Sequence, residues 1–183
     1  MLEKESLFNL SYGMYIVGSK RADRLNGCIL NTVFQVTPEP VSVAVSINRG
    51  CLTHEYVSQS GVFSVCVLSQ QTPMSFIGRF GFRSGRDIDK FEGVNYRTGQ
   101  TGAPIITDNT VAFLEAEVVD RIDVVKHTVF IGRILACATL AADKEPMTYA
   151  YYRQVKRGWT PETAATYQKT EVKAGDSTAG EEK

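Results

Sequence analysis

The chain has 183 residues, 43% of them hydrophobic, and its 20 Lys and Arg are matched by 20 Asp and Glu. One domain of this length buries roughly 70% of its unfolded surface, and a net charge of zero leaves no basic field to gather nucleic acid or anionic lipid. No apolar run approaches the ~18 residues of a membrane span, and Met1-Leu2-Glu3-Lys4-Glu5-Ser6-Leu7-Phe8 has no leader-like apolar stretch, so a soluble cytoplasmic protein with no nucleic-acid or membrane partner is expected.

Strand signals dominate the chain. Segments 12–19, 30–37, 41–47, 62–69, 105–107, 111–121 and 124–140 are rich in Val, Ile, Phe and Thr and bounded by Gly, Pro, Asn or Asp. That density predicts a mainly β domain closed toward a barrel. The last two form a long hairpin around Asp120-Arg121-Ile122-Asp123, with Val129, Ile131, Arg133 and Leu135 alternating against Phe130, Gly132, Ile134 and Ala136. Helical stretches are short: 53–60 stopping at Gly61, 73–80 opening on Pro73, and 147–155 with an aromatic stripe. Residues 1–168 read as one domain and 169–183 as a disordered tail too polar to offset its ordering entropy.

Two polar elements interrupt the strands. Asn26-Gly27-Cys28-Ile29-Leu30-Asn31-Thr32 opens on an Asn-Gly pair that tolerates positive φ and would expose main-chain groups to a flat ligand. Ser46-Ile47-Asn48-Arg49-Gly50-Cys51-Leu52-Thr53-His54 reads as a strand end, a loop and a helix start, with Thr53 the cap and the first-turn N–H groups an anion site. A ring-sized ligand with a phosphate tail suits the pair. The four cysteines, Cys28, Cys51, Cys66 and Cys137, show no Cys-x-x-Cys or Cys/His spacing, so no metal site is expected. Cys66 and Cys137 sit in apolar runs and are expected to be buried. The charged segment Phe82 to Lys90 is a long loop of the functional kind.

In serial order, Gly13-Met14-Tyr15-Ile16-Val17-Gly18, Asn26-Gly27-Cys28, Asn31-Thr32, Val45-Ser46-Ile47-Asn48, Thr53-His54, Ser84-Gly85-Arg86-Asp87-x-Asp89-Lys90-Phe91 and His127-Thr128-x-Phe130-Ile131-Gly132 resemble the flavin reductase-like, FMN-binding split-barrel family over roughly residues 8–167. The resemblance implies a Greek-key split β-barrel with a few short helices, a homodimer, and FMN near the subunit interface reduced by NAD(P)H. It implies that Asn26, Gly27, Cys28, Ile29, Leu30, Asn31 and Thr32 face the pyrimidine edge of the ring, and that Ser46, Asn48, Arg49, Thr53 and His54 hold the ribityl chain and phosphate. Gly81, Phe82, Arg83 and Ser84 would border the flavin, with Arg83 a phosphate partner; Arg86, Asp87, Asp89 and Lys90 are equally readable as a solvated charge cluster. His127 would orient the nicotinamide, or be a satisfied strand histidine. Trp159 would cap the flavin face, or pack the tail on the barrel.

Relatives with a rubredoxin module continue past this point, but no Cys-x-x-Cys follows Tyr167. Electrons would then pass to a free flavin or to a separate rubredoxin or flavodiiron-type protein. Three functions compete: an NAD(P)H:flavin oxidoreductase, a flavoredoxin-type electron carrier with tightly held FMN, and a non-redox FMN-binding module.

Overall fold

A computed structural model describes residues 3–167; the expected tail, 169–183, lies outside them. After a short 3₁₀ turn, Lys4–Asn9, the chain runs β1 (Tyr15–Arg21), β2 (Arg24–Leu30), β3 (Val33–Pro38), β4 (Val41–Asn48), α1 (Leu52–Ser60), β5 (Val62–Leu68), α2 (Met74–Gly81), β6 (Tyr96–Thr98), β7 (Pro104–Ile106), β8 (Thr110–Val124), β9 (His127–Thr139) and α3 (Tyr149–Gln154). Seven strands form one antiparallel sheet in the order β2-β1-β5-β8-β9-β4-β3, and β6 and β7 pair separately.

That order puts β2 and β3, neighbours in the chain, at opposite edges of the sheet. Only Asn31-Thr32 joins them. The sheet must therefore curl until its edges approach, yet the edges do not pair, and the mainly β architecture is a barrel with a seam. Thr32 fastens the seam to β4: its carbonyl accepts from Ser46 N (3.1 Å) and its hydroxyl donates to Ser46 O (3.2 Å).

Strands β1 and β5 are covered on both faces. Ile16, Cys66 and Leu68 join α2, β7 and α3 in one core, whereas Val17, Phe63 and Val65 join β4 and Phe130 in the other. This two-sided burial is why 62–68 is a continuous apolar run rather than an alternating one. In the long β8–β9 hairpin, Gly132 leaves room for Phe63; a Cβ there would collide with the Phe63 ring and Ala116.

Several expectations need correction. Asn26-Gly27 is not a turn but the middle of β2, paired with Ser19 and Gly18, and neither residue has positive φ. Its polar look comes from Asn26 bonding sideways to a helix, not from loop exposure. The hairpin turns at Val125-Lys126, where Val125 has φ 49°, while Asp120 and Asp123 remain paired with Ile131 and Thr128; acidic residues are tolerated there because that end of β8 is exposed. Helix α1 starts one residue earlier than expected, with Cys51 as its N-cap, so Thr53 is not the cap but a fully buried first-turn residue. Cys66 is buried, but Cys137 is exposed, because β9 is covered only over its first half.

Candidate functional site

A cavity of about 320 Å³ opens at the seam, within the roughly 300–1,000 Å³ range of small-molecule sites. Its walls are the second half of β2 (Cys28, Ile29, Leu30), the end of β4 (Ile47, Asn48), the start of α1 (Cys51, Leu52) and the end of α2 with the turn after it (Phe80 to Gly85). Lys90 and Arg83 line it, and no Asp or Glu does among the described residues. A chain with no net charge thus concentrates positive charge at one place.

Lys90 is only 4% exposed. Its Nζ donates to the carbonyls of Gly27 (3.0 Å) and Phe80 (3.1 Å), tying β2 to the end of α2. Among the described residues no carboxylate pairs with it, and an ammonium has three N–H donors, so one donor and the full charge are left over. Burial lowers its pKa, which marks the cost of holding that charge here. Asn26 stitches β2 to α1 by donating from Nδ2 to Thr53 Oγ1 (2.8 Å), and Gly85 packs so close to the Asn26 amide that a Cβ would collide with it.

Two thiols face each other across the wall. Cys28 lies in a buried cluster against which Cys51 packs, and the neighbouring Cys51 thiol together with burial pushes it well above the usual thiol range. Cys51 makes no cap bond of standard geometry, yet the Cys28 thiol, with the Thr53 hydroxyl and amide and the charge of Lys90, lowers it to about 6 against the opposing effect of burial.

The segment after α3 crosses the cavity mouth. Trp159 stacks on Phe82 (centroids 4.6 Å, interplanar 12°) and its carbonyl accepts from Tyr152 Oη (3.0 Å). Farther on, Thr163 O accepts from Asn48 Nδ2 (3.1 Å) and His127 Nε2 (3.3 Å), and Thr166 Oγ1 accepts from Asn31 Nδ2 (2.6 Å). Because a carbonyl can only accept, the His127 proton sits on Nε2.

Of the residues expected at the site, Asn26, Cys28, Ile29, Leu30, Asn31, Asn48, Gly81, Phe82, Arg83, Ser84, His127 and Trp159 line the cavity. Gly27, Thr32, Ser46, Arg49, Thr53 and His54 do not. Gly27 contributes its carbonyl to Lys90 from behind the wall, and Thr32 and Ser46 spend their groups on each other. Thr53 is occupied by Asn26, and Arg49 lies in the exposed turn beside Lys126. His54 packs at a tilt against Phe130 (centroids 5.3 Å, interplanar 54°) and meets Thr128 Oγ1 through Nε2 (2.8 Å). The Thr128 hydroxyl gives its single proton to Asp123 Oδ1 (2.6 Å), so His54 Nε2–H must be the donor.

Sequence reading missed Lys90 as a buried residue, along with Cys51, Tyr149, Tyr152, Thr160, Pro161, Thr163, Ala164 and Ala165. Of the charged cluster, Arg86 does remain on the surface, paired with Glu55. For Lys90 a signal existed: the lysine directly precedes Phe91, itself a core residue. For the thiols the signal was plainer, since Cys28 and Cys51 fall one in each of the two polar elements.

Residues 7–160 match the Flavin reductase like domain. The chain belongs to this family. It is 48% identical over 166 residues to a high molecular weight rubredoxin of Moorella thermoacetica, covering 91% of this chain and 72% of that protein. It is equally 48% identical over 166 residues to a ferric-chelate reductase (NAD(P)H) of Archaeoglobus fulgidus, covering 91% of this chain and 98% of that one. An FMN-binding protein of Thermus thermophilus with bound p-hydroxybenzaldehyde superposes with a TM-score of 0.65 at 25% identity, over 71% of this chain and 73% of that one. The chain is therefore a flavin-dependent reductase in class, and its seamed sheet is the family's split barrel.

His54 generates a pH prediction. Burial, with help from Arg49, lowers its pKa, so between that value and the unfolded ~6.5 the unfolded chain binds more protons than the folded one. Stability should accordingly fall as pH drops from 7.5 through this window toward 5. Denaturant titrations across that range should show the decline shrinking in His54→Gln; an identical decline in the variant would assign it to other groups.

Proposed function

We propose that the seam cavity holds FMN and that the protein transfers a hydride from NAD(P)H to it, passing electrons on to a free flavin or a separate redox protein of rubredoxin or flavodiiron type. The observation that carries this reading is the cavity's charge: two cations, Lys90 and Arg83, no lining carboxylate among the described residues, and apolar walls from Ile29, Leu30, Ile47 and Phe80. Such a lining accepts a flat ring with an anionic tail and disfavours a neutral or cationic occupant. Bound flavin would supply a two-electron acceptor for the nicotinamide hydride.

The chain's own residues then act by position rather than by proton transfer. Lys90, held by two carbonyls, presents a fixed positive charge that stabilises negative charge in the occupant, and its low-dielectric setting enlarges the effect. Trp159 and Phe82 cover one side of the mouth and exclude water. His127 stands at the mouth beside Asn48, where it would orient the nicotinamide. The name of the Archaeoglobus relative favours NAD(P)H as donor, and that of the Moorella relative keeps the electron-carrier reading open. Four free thiols suit a reducing cytoplasm.

A homodimer belongs to the same proposal. Phe34, Ala44 and Ile131 form one row across β3, β4 and β9, and Ser46, Val129 and Ile122 form the next across β4, β9 and β8. Phe34 and Ile122 end these rows 61% and 57% exposed, so the face asks for a cover.

Flavin titration followed by anaerobic mixing with NADH and NADPH tests the main reading: FMN should bind and bleach, whereas a colourless protein that ignores both donors would overturn it. Lys90→Met should weaken FMN by roughly tenfold or more, since charged hydrogen bonds contribute about 1.5–3 kcal/mol; unchanged FMN affinity in a folded variant would remove Lys90 from the site. His127→Ala should slow reduction by the nicotinamide while FMN content and melting temperature hold; the reverse pattern would make it a structural residue. Sedimentation should give a dimer that Phe34→Asp dissociates, and a monomeric wild type would refute the shared interface.

A further inference from the structure

We propose that Cys28 and Cys51 form a reactive dithiol in the cavity wall, with Cys51 the attacking thiol toward a small hydroperoxide and Cys28 the resolving thiol that closes an intramolecular disulfide. Both cysteines are free and both line the cavity, one from β2 and the other from the N-cap of the nine-residue helix α1. Cys28 belongs to a buried cluster against which Cys51 packs. The other two cysteines serve as internal contrasts. Cys66 is packed in a core that burial pushes up to about 12, and Cys137 is an exposed strand residue; neither lines the cavity.

The surroundings divide the roles. Cys28 is buried whereas Cys51 is only partly so and sits at the start of α1, which makes Cys51 the thiolate and Cys28 the retained thiol. The Thr53 hydroxyl and the buried ammonium of Lys90 act on both sulfurs, whereas the Thr53 amide and the charge of Arg86, although paired with Glu55, act on Cys51. The positive end of the α1 dipole biases the same way. A thiolate is the nucleophile in peroxide attack, so the low-pKa, cavity-facing sulfur reacts first.

The chemistry closes without a further reagent. Cys51 thiolate attacks the terminal oxygen of the hydroperoxide; the O–O bond breaks, sulfur loses two electrons to it, and Cys51 becomes a sulfenic acid as the alkoxide or hydroxide leaves. The leaving oxygen takes up the proton that Cys51 released. Cys28 sulfur then attacks the sulfenic sulfur, its proton departing with the hydroxyl as water, and an S–S bond forms. Two thiols and one hydroperoxide give one disulfide, one alcohol or water, and one further water. The bond would tie β2 to α1 at the back of the cavity, after both side chains move in to the ~2.05 Å S–S distance.

The full-length, prereduced protein is treated with one equivalent of hydrogen peroxide, with and without FMN, and each cysteine is followed by peptide mass mapping. The expected result is a crosslink joining the Cys28 and Cys51 peptides, reversed by dithiothreitol, while Cys66 stays reduced. In Cys28→Ser, oxidation should stop at a sulfenic acid on Cys51 that dimedone captures; in Cys51→Ser, fast peroxide consumption should disappear. Iodoacetamide should alkylate Cys51 with a midpoint near the lowered value of about 6, roughly two units below a free thiol's ~8.5. Oxidation of Cys51 no faster than that of Cys137, or a wild-type peroxide rate in folded Cys51→Ser, would overturn the assignment. The peptide map needs no variant, so a folding defect in either mutant leaves that decision intact.

Discussion

The two-residue link Asn31-Thr32 governs the architecture. It joins strands at opposite edges of a seven-stranded sheet, and so short a connection forces the edges together while their registers stay unpaired. An open edge exposes unsatisfied N–H and C=O groups, which proteins must cover or satisfy. Here the covering elements are α1, the end of α2, Lys90 and the segment after α3, and the space they fail to fill is the cavity. The site is thus a consequence of incomplete closure, not an addition to a finished barrel.

Electrostatics follow from the same geometry. The Gly27 carbonyl on β2 and the Phe80 carbonyl at the end of α2 need donors, and one lysine supplies both. Satisfying two neutral acceptors with an ammonium leaves charge in excess, in a place where burial magnifies it. Flavin tails, nicotinamide phosphates and thiolates share a sign that such a site favours. Lys90 therefore links the packing of α2 to the proposed flavin chemistry and to the polarity of the Cys28–Cys51 pair.

Most of the fold was legible because period and propensity agreed. The runs at 41–47 and 62–69 became β4 and β5 nearly unchanged, and Gly61 ends α1 with φ 68° as its sequence suggests. Strand β2 was not legible: Asn26 looks like a turn residue until its amide is seen reaching Thr53, a contact 27 residues away in sequence that local pattern cannot encode. The same blindness left Lys90 equally readable as a solvated charge, since only tertiary packing reveals that Gly27 and Phe80 converge on it. In the site, the two polar elements do line the cavity, but the residues facing away, such as Thr53 and His54, could not be separated from those facing in without knowing where α1 begins.

The mouth of the cavity shows how the same residues serve closure and access. Asn31, Asn48 and His127 bond to Thr163 and Thr166 rather than pointing free. Each such hydrogen bond contributes a net ~0.5–1.5 kcal/mol, so the far end of the strap is held by a few kcal/mol at most. The near end is held differently, by the Trp159–Phe82 stack and the Tyr152 hydroxyl on the Trp159 carbonyl. An occupant that bonds better to Asn48 or His127 than Thr163 does can displace the far end while the aromatic anchor stays, since a ligand shifts such an equilibrium by its differential affinity for the two states. Polar contacts that close the mouth are therefore also the ones a polar ligand would exchange, and the apolar stack is the hinge about which that exchange can happen.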